Sequence, residues 1–161
     1  MKNIFYSLIL VLGISAQVQG QDKETTSASE TQKIQAVIDT FFEGLEQGDT
    51  VMIASILSKD IILESAFKNR EGVESSTRMT RDQIMKGLGS KKAADIWEER
   101  LGAYSFHVDA NLASVWVPYS FYLNKEFSHC GSNSFQMVRR GGTWEIVYII
   151  DVRKRSDCKK S

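Results

Sequence analysis

The sequence predicts an α+β domain whose sheet is bent into a concave face covered by helices. Three observations carry this reading. Ala113–Leu123, Phe127–Arg140 and Thr143–Arg153 read as three consecutive strands, separated only by Asn124-Lys125-Glu126 and Gly141-Gly142. Each is about twice the usual strand length, so the sheet must bend. Helical patterns precede the strands rather than alternate with them, which is the order of an α+β protein. A concave sheet face under helices is in turn a natural place for a small-molecule pocket.

The first twenty residues read as a signal peptide rather than as part of the fold. Lys2 supplies the positive end, Ile4 to Ile14 is an apolar run, and Val18-Gln19-Gly20 places a cleavage site after Gly20. The run is too short for a comfortable membrane span. No cysteine follows it, so a lipid anchor is not expected. The protein is therefore expected to be exported, periplasmic or secreted, with no membrane attachment after cleavage; an uncleaved anchor is the rival. Residues 21–30 (QDKETTSASE) are polar, lack aromatics and read as a flexible lead-in to one domain over residues 31–158.

Ser29-Glu30-Thr31-Gln32 fits a capping box, and Ile34, Val37, Ile38, Phe41, Phe42 and Leu45 follow at the spacing of an amphipathic helix. Gly48 ends it, and Asp49 can cap a short second helix through Leu57. Asp60 to Phe67 reads as a strand and Lys68 to Gly72 as a turn. Thr80-Arg81-Asp82-Gln83 opens a third helix that Gly87 and Gly89 close. One strand then runs from about Asp95 to Val108 and turns at Asp109-Ala110-Asn111. The expected order is helix, helix, strand, helix and four strands. Pro118 lies inside a strand pattern, which calls for an edge or a bulge there.

The 161 residues suffice for one domain, and 42% apolar with 25% charged content is ordinary for a globular protein. A formal net charge of zero offers nothing to a polyanion, so no nucleic-acid partner is expected. The two histidines, His107 and His129, come without CxxC or HExxH, and neither GxGxxG nor GxxxxGK[ST] occurs, so neither metal nor cofactor is expected. Arg153-Lys154-Arg155 with Lys159-Lys160 reads as a solvated basic tail. The two cysteines are more telling. If Gly141-Gly142 sets Arg140 opposite Thr143, the hairpin register puts Cys130 opposite Arg153, and Cys158 need only fold back a few residues to reach it. An oxidising compartment permits that bridge. Two free thiols are the alternative.

The element order, the Phe41-Phe42-Glu43-Gly44-Leu45-Glu46-Gln47-Gly48-Asp49 helix end and the Gly141-Gly142-Thr143-Trp144-Glu145-Ile146-Val147 hairpin resemble the nuclear transport factor 2-like superfamily. Phe127-Ser128-His129-Cys130-Gly131, Asn133-Ser134-Phe135-Gln136 and Tyr148-Ile149-Ile150-Asp151 resemble its exported bacterial "putative lumazine-binding" branch. The resemblance covers about residues 31–158. It implies a cone: a strongly curved, mainly antiparallel sheet wrapped around the long N-terminal helix, often dimeric through the outer face. It leaves function open, because the superfamily includes isomerases, dehydratases, cyclases, carriers and interaction modules.

Strict alternation in the last hairpin puts Trp144, Ile146, Tyr148, Ile150 and Val152 on the inner face, with Arg139, Met137, Phe135, Asn133 and Gly131. His129 and Asn133 are the polar members of that face, placed at a pocket mouth with Gly131 leaving space between them. His129 has the pKa range for proton transfer or ligand hydrogen bonding; a structurally bonded histidine and a core-satisfying Asn133 amide are the alternatives. Tyr148 and Trp116 are expected to line the cavity, or to serve simply as core aromatics. Asp151 falls on the opposite face with Val147 and Ile149 unless a bulge rotates it, and Glu64 points away from its apolar neighbours, so no acid/base pair emerges. The reading is an exported, non-enzymatic module binding a small, partly apolar molecule. Its rivals are an isomerase or dehydratase working by proton transfer, and a dimeric interaction module.

Overall fold

A computed structural model describes residues 19–158. In chain order the elements are α1 (Gln19–Gln47), α2 (Thr50–Ile56), β1 (Leu57–Lys68), β2 (Glu74–Thr80), α3 (Arg81–Gly89), β3 (Trp97–Leu101), β4 (Ser105–Asp109), β5 (Leu112–Leu123), β6 (Glu126–Arg140) and β7 (Thr143–Lys154). The strands form one open, curved sheet in the order β2-β1-β7-β6-β5-β3, with β4 also pairing β5. All pairings are antiparallel except β1 with β7. The signal-peptide segment lies almost wholly outside the described residues.

Two strands depart from the expected order. β2 was hidden because its sequence, ESSTRMT, is almost wholly exposed and carries no apolar alternation; it is an edge strand whose hydrogen bonds to β1 do the work. The stretch from Asp95 to Val108 is two strands, not one. β3 pairs with Tyr119–Leu123 and β4 with Leu112–Trp116, so both flank the same side of β5. Pro118 sits at the break between them, where Gly102 N–H donates to its carbonyl at 2.8 Å. The ring nitrogen thus meets a gap in the ladder, which is how a proline survives inside the sheet.

Helix α1 is continuous from Gln19, so residues 21–30 are helical rather than a loose lead-in. Nothing after Gly20 interrupts it, and its Glu, Lys, Gln and Ala residues are sound helix formers. Glu30 is a docking residue: its carboxylate accepts from Arg139 Nη1 at 2.8 Å and Trp144 Nε1 at 3.0 Å, tying the helix to the β6–β7 hairpin. Below it Ile34, Ile38, Phe41 and Phe42 bury the apolar face against Phe135, Met137 and Ile146. The rings of Phe41, Phe42 and Phe135 meet edge to face with centroids 5.4–5.8 Å apart, worth about 0.5–1.5 kcal/mol per pair beyond burial. Asp49 caps α2 as expected, its Oδ1 accepting from Val51 and Met52 N–H at 2.9 Å.

The β6–β7 and β5–β6 hairpins turn through residues in the left-handed region. Gly141 and Gly142 (φ 57° and 86°) and Asn124 and Lys125 (φ 52° and 71°) match the twist that two-residue turns require. These turns set the register of β5, β6 and β7, and with it the site.

Candidate ligand pocket

The β6–β7 hairpin begins in the expected register, with Arg140 opposite Thr143 and Met137 opposite Ile146. It then slips. Gln136 pairs with Tyr148, so Val147 is an extra residue and every later side chain of β7 changes face. Tyr148, expected in the cavity, is turned to the outer face, where its hydroxyl donates to Glu64 at 2.7 Å. Ile149 and Asp151, expected outside, point inward, and Asp151 lies opposite Asn133. The same slip puts Lys154, rather than Arg153, opposite Cys130. Cys130 and Cys158 are nevertheless joined in a disulfide.

Between the sheet and the three helices lies a cavity of about 410 Å³, within the range of small-molecule sites. Phe41 and Leu45 of α1, Ile53 of α2, Ile84 and Leu88 of α3 and the strand residues Leu63, Trp97, Phe121 and Ile149 make its walls apolar. His129 and Asn133 line it. Trp116 does not: it lies between inward-facing Val115 and Val117, so alternation turns it outward, and it is 49% exposed. Sequence reasoning missed Glu99, Tyr119 and Arg153 and, without the bulge, set Asp151 on the other face; all four reach the cavity. Glu99 left a faint signal, because Trp97, Glu99 and Leu101 alternate with the outward ion pair Glu98–Arg100.

Asp151 is 5% exposed and is the hub of the polar cluster. Its carboxylate accepts from Ser65 Oγ, from Tyr119 Oη at 3.1 Å and from Arg153 Nε at 2.9 Å. Gly131 makes this possible. Tyr119 lies directly across from it, and a Cβ on Gly131 would sit 2.8 Å from the Tyr119 ring and 1.7 Å from the Val152 carbonyl oxygen. The space expected beside His129 is therefore taken by the tyrosine ring. Burial, then the Asp151 charge, raises the Tyr119 phenol well above its ordinary range, so it stays a donor.

His129 packs against Phe121 and Tyr119, with ring centroids at 5.0 and 5.7 Å, and its Nδ1 hydrogen-bonds Ser128 Oγ at 3.1 Å. Burial, then repulsion from Arg153, lowers its pKa to about 4, so the imidazole is neutral at physiological pH. No carboxylate hydrogen-bonds it among the described residues. Glu99 behaves in the opposite sense. Burial, reinforced by the Asp151 charge, raises its pKa to about 8, and Oε2 is buried without a hydrogen-bond partner. Outside the cavity, His129 and Arg153 continue into a polar groove of about 1160 Å³ that also carries Lys68, Arg70, Lys154 and Arg155.

This curved sheet around a long helix, with a cavity between them, is the nuclear transport factor 2-like architecture. Residues 29–149 match the family described as "Putative lumazine-binding", and the chain belongs to that family. Several solved structures share the fold. A nuclear transport factor 2-like protein of unknown function from Silicibacter pomeroyi is 14% identical, with 80% of this chain and 98% of that one covered and a TM-score of 0.58. The β subunit of a "putative aromatic-ring-hydroxylating dioxygenase" from Novosphingobium aromaticivorans is 11% identical over 80% and 92% of the two chains, with a TM-score of 0.66. A "Putative Scytalone Dehydratase" from the same organism is 12% identical over 86% and 93%, with a TM-score of 0.62. No curated protein matches in sequence.

Proposed function

We propose that this protein is an exported module that holds one small, partly apolar molecule in the cavity without transforming it. The observation that carries the reading is the cavity itself: about 410 Å³, apolar on most sides, with a few convergent polar groups on the inner sheet face. The family's description, which names a small molecule, supports a ligand-binding domain. His129 and Asn133 are the contacts retained from the sequence. Trp116 and Tyr148 have no place in this site. The absence of chemistry is argued from Asp151, whose carboxylate already accepts three hydrogen bonds. Three of the roughly four acceptor positions of the carboxylate are thereby occupied, which leaves it little capacity to take a proton from a ligand.

Export rests on the leader pattern of residues 1–20 and is compatible with the Cys130–Cys158 disulfide. Among the described residues no helix is long and apolar enough to cross a membrane. Homodimerisation through the outer sheet face, where Trp116 stands exposed, is part of the proposal.

A second reading, proton-transfer catalysis, is favoured by one specific observation. The Val147 bulge brings Asp151 and Tyr119 into the same cavity as His129, and one structural neighbour is described as a dehydratase. Native mass spectrometry of the processed protein, purified from its exported compartment without denaturation, separates the two. A discrete small mass above one or two chains supports the binding module. Consistently ligand-free chains, combined with turnover of a dehydratable or isomerisable ketone, would replace it with the enzyme.

A further inference from the structure

Among the described residues lining the cavity, Glu99 has a buried carboxyl oxygen that no protein group pairs. Glu99 is on β3, on the inner face between Trp97 and Leu101, in line across the sheet with Phe121 and His129. Glu99 lines the cavity, and its Oε2 is buried with no hydrogen-bond partner among the described residues. Leaving a buried carboxyl oxygen unpaired is unfavourable, because it has given up its water without a replacement partner. That cost is recovered when something entering the cavity pairs with it.

We infer, building on the binding role proposed above, that Glu99 reads the ligand as a hydrogen-bond donor, and that the ligand is an uncharged molecule presenting a buried acceptor such as a carbonyl oxygen. The surroundings decide the charge. Glu46 of α1, Tyr119 of β5, His129 of β6 and Asp151 with Arg153 of β7 are the titratable or charged groups packed toward Glu99. Arg153 is committed to Asp151, and Glu46 and Asp151 both oppose a second negative charge. With its pKa raised to about 8, the Glu99 carboxyl is mostly protonated and offers an O–H at physiological pH. His129 has already lost its proton by then, and Tyr119 keeps its own well beyond, so Glu99 is the cavity group that titrates between about pH 6 and about pH 9.

The test is a fluorescence titration with prodan, a neutral naphthyl ketone small enough for the cavity, alongside dimethylaminonaphthalene, the same ring system without the carbonyl. In the wild-type protein, prodan affinity is expected to fall roughly tenfold between about pH 6 and about pH 9, as the donor is lost one unit above the Glu99 titration. Glu99→Gln keeps a donor that does not titrate, so its prodan affinity should be flat across that range. The ketone-free ring should be flat in both proteins, and its binding reports that the variant's cavity is intact. Prodan binding that is pH-independent in the wild type, or falls equally in Glu99→Gln, overturns the role of Glu99 and leaves the cavity standing. If neither probe binds either protein, the binding module fails and this inference fails with it.

Discussion

Breaking the Cys130–Cys158 bridge tests what secures the open end of the β6–β7 hairpin. The bond joins the last rung of the β6–β7 ladder, where Cys130 lies opposite Lys154, to the segment just beyond β7. It closes a loop of 28 residues, for which loop-closure entropy alone gives a stabilisation of roughly 3.6 kcal/mol at room temperature. Unfolding entropy of about 2.1 cal/mol/K per residue, over the roughly 130 residues of the domain, converts this to a fall in Tm of about 13 °C. The assay is a pair of thermal melts by circular dichroism, with and without reductant, on the wild type and on Cys158→Ser. The wild type should lose about 13 °C on reduction. Cys158→Ser should start at the reduced value and be indifferent to reductant. A loss below about 3 °C in the reduced wild type would refute the reasoning, because the loop would then be held by its other contacts.

The remaining predictions concern the two sheet faces. Gly131→Ala should cost about 3 kcal/mol or more by overpacking, because its Cβ meets the Val152 carbonyl and the Tyr119 ring, whereas Gly87→Ala, with nothing within 4 Å, should be neutral or slightly stabilising; chemical denaturation of both variants checks the contrast. On the outer face, hydrogen bonds from Tyr148, Ser76 and Arg78 lower the Glu64 pKa to about 2. A carboxylate depressed in the folded state contributes stability that is full above its unfolded pKa and is lost as pH falls through the folded one. Melting temperature should therefore decline between about pH 4.5 and about pH 2, and Glu64→Gln should decline less over that window.

Much of the fold was legible because its signals are periodic. The α1 stripe, the Asp49 cap and the Gly141-Gly142 turn each carry a residue-level reason visible in the sequence. The β7 face assignment failed for an equally physical reason. Ile146-Val147-Tyr148-Ile149-Ile150 is apolar on both faces, so inserting one residue leaves the hydrophobic pattern unmarked while reversing every side chain beyond it. His129 and Asn133 escaped that error because both lie on β6, where strict alternation holds between them. β2 escaped notice for the opposite cause: a polar edge strand has no alternation to read. The α1 start was misplaced because a capping-box pattern does not end a helix that already runs through it, and Glu30 turned out to serve the hairpin instead.

The corrected register changes what the cavity can recognise. With Asp151 outside, the pocket would hold only a histidine and an amide. With Asp151 inside, it holds a carboxylate and a guanidinium, yet each is already the other's partner, and Ser65 and Tyr119 occupy two of the carboxylate's remaining acceptor sites. That cluster fixes the positions of β1, β5 and β7 from within and offers a ligand little. The polar groups left facing the apolar space are the Gln83 and Asn133 amides, the His129 ring and the Glu99 carboxyl, and near neutral pH the two titratable ones are largely uncharged. A site of that composition gains nothing from a ligand's charge and pays the desolvation cost of admitting one. Under the binding role proposed above, such a site discriminates by shape and by the matching of one or two neutral hydrogen bonds.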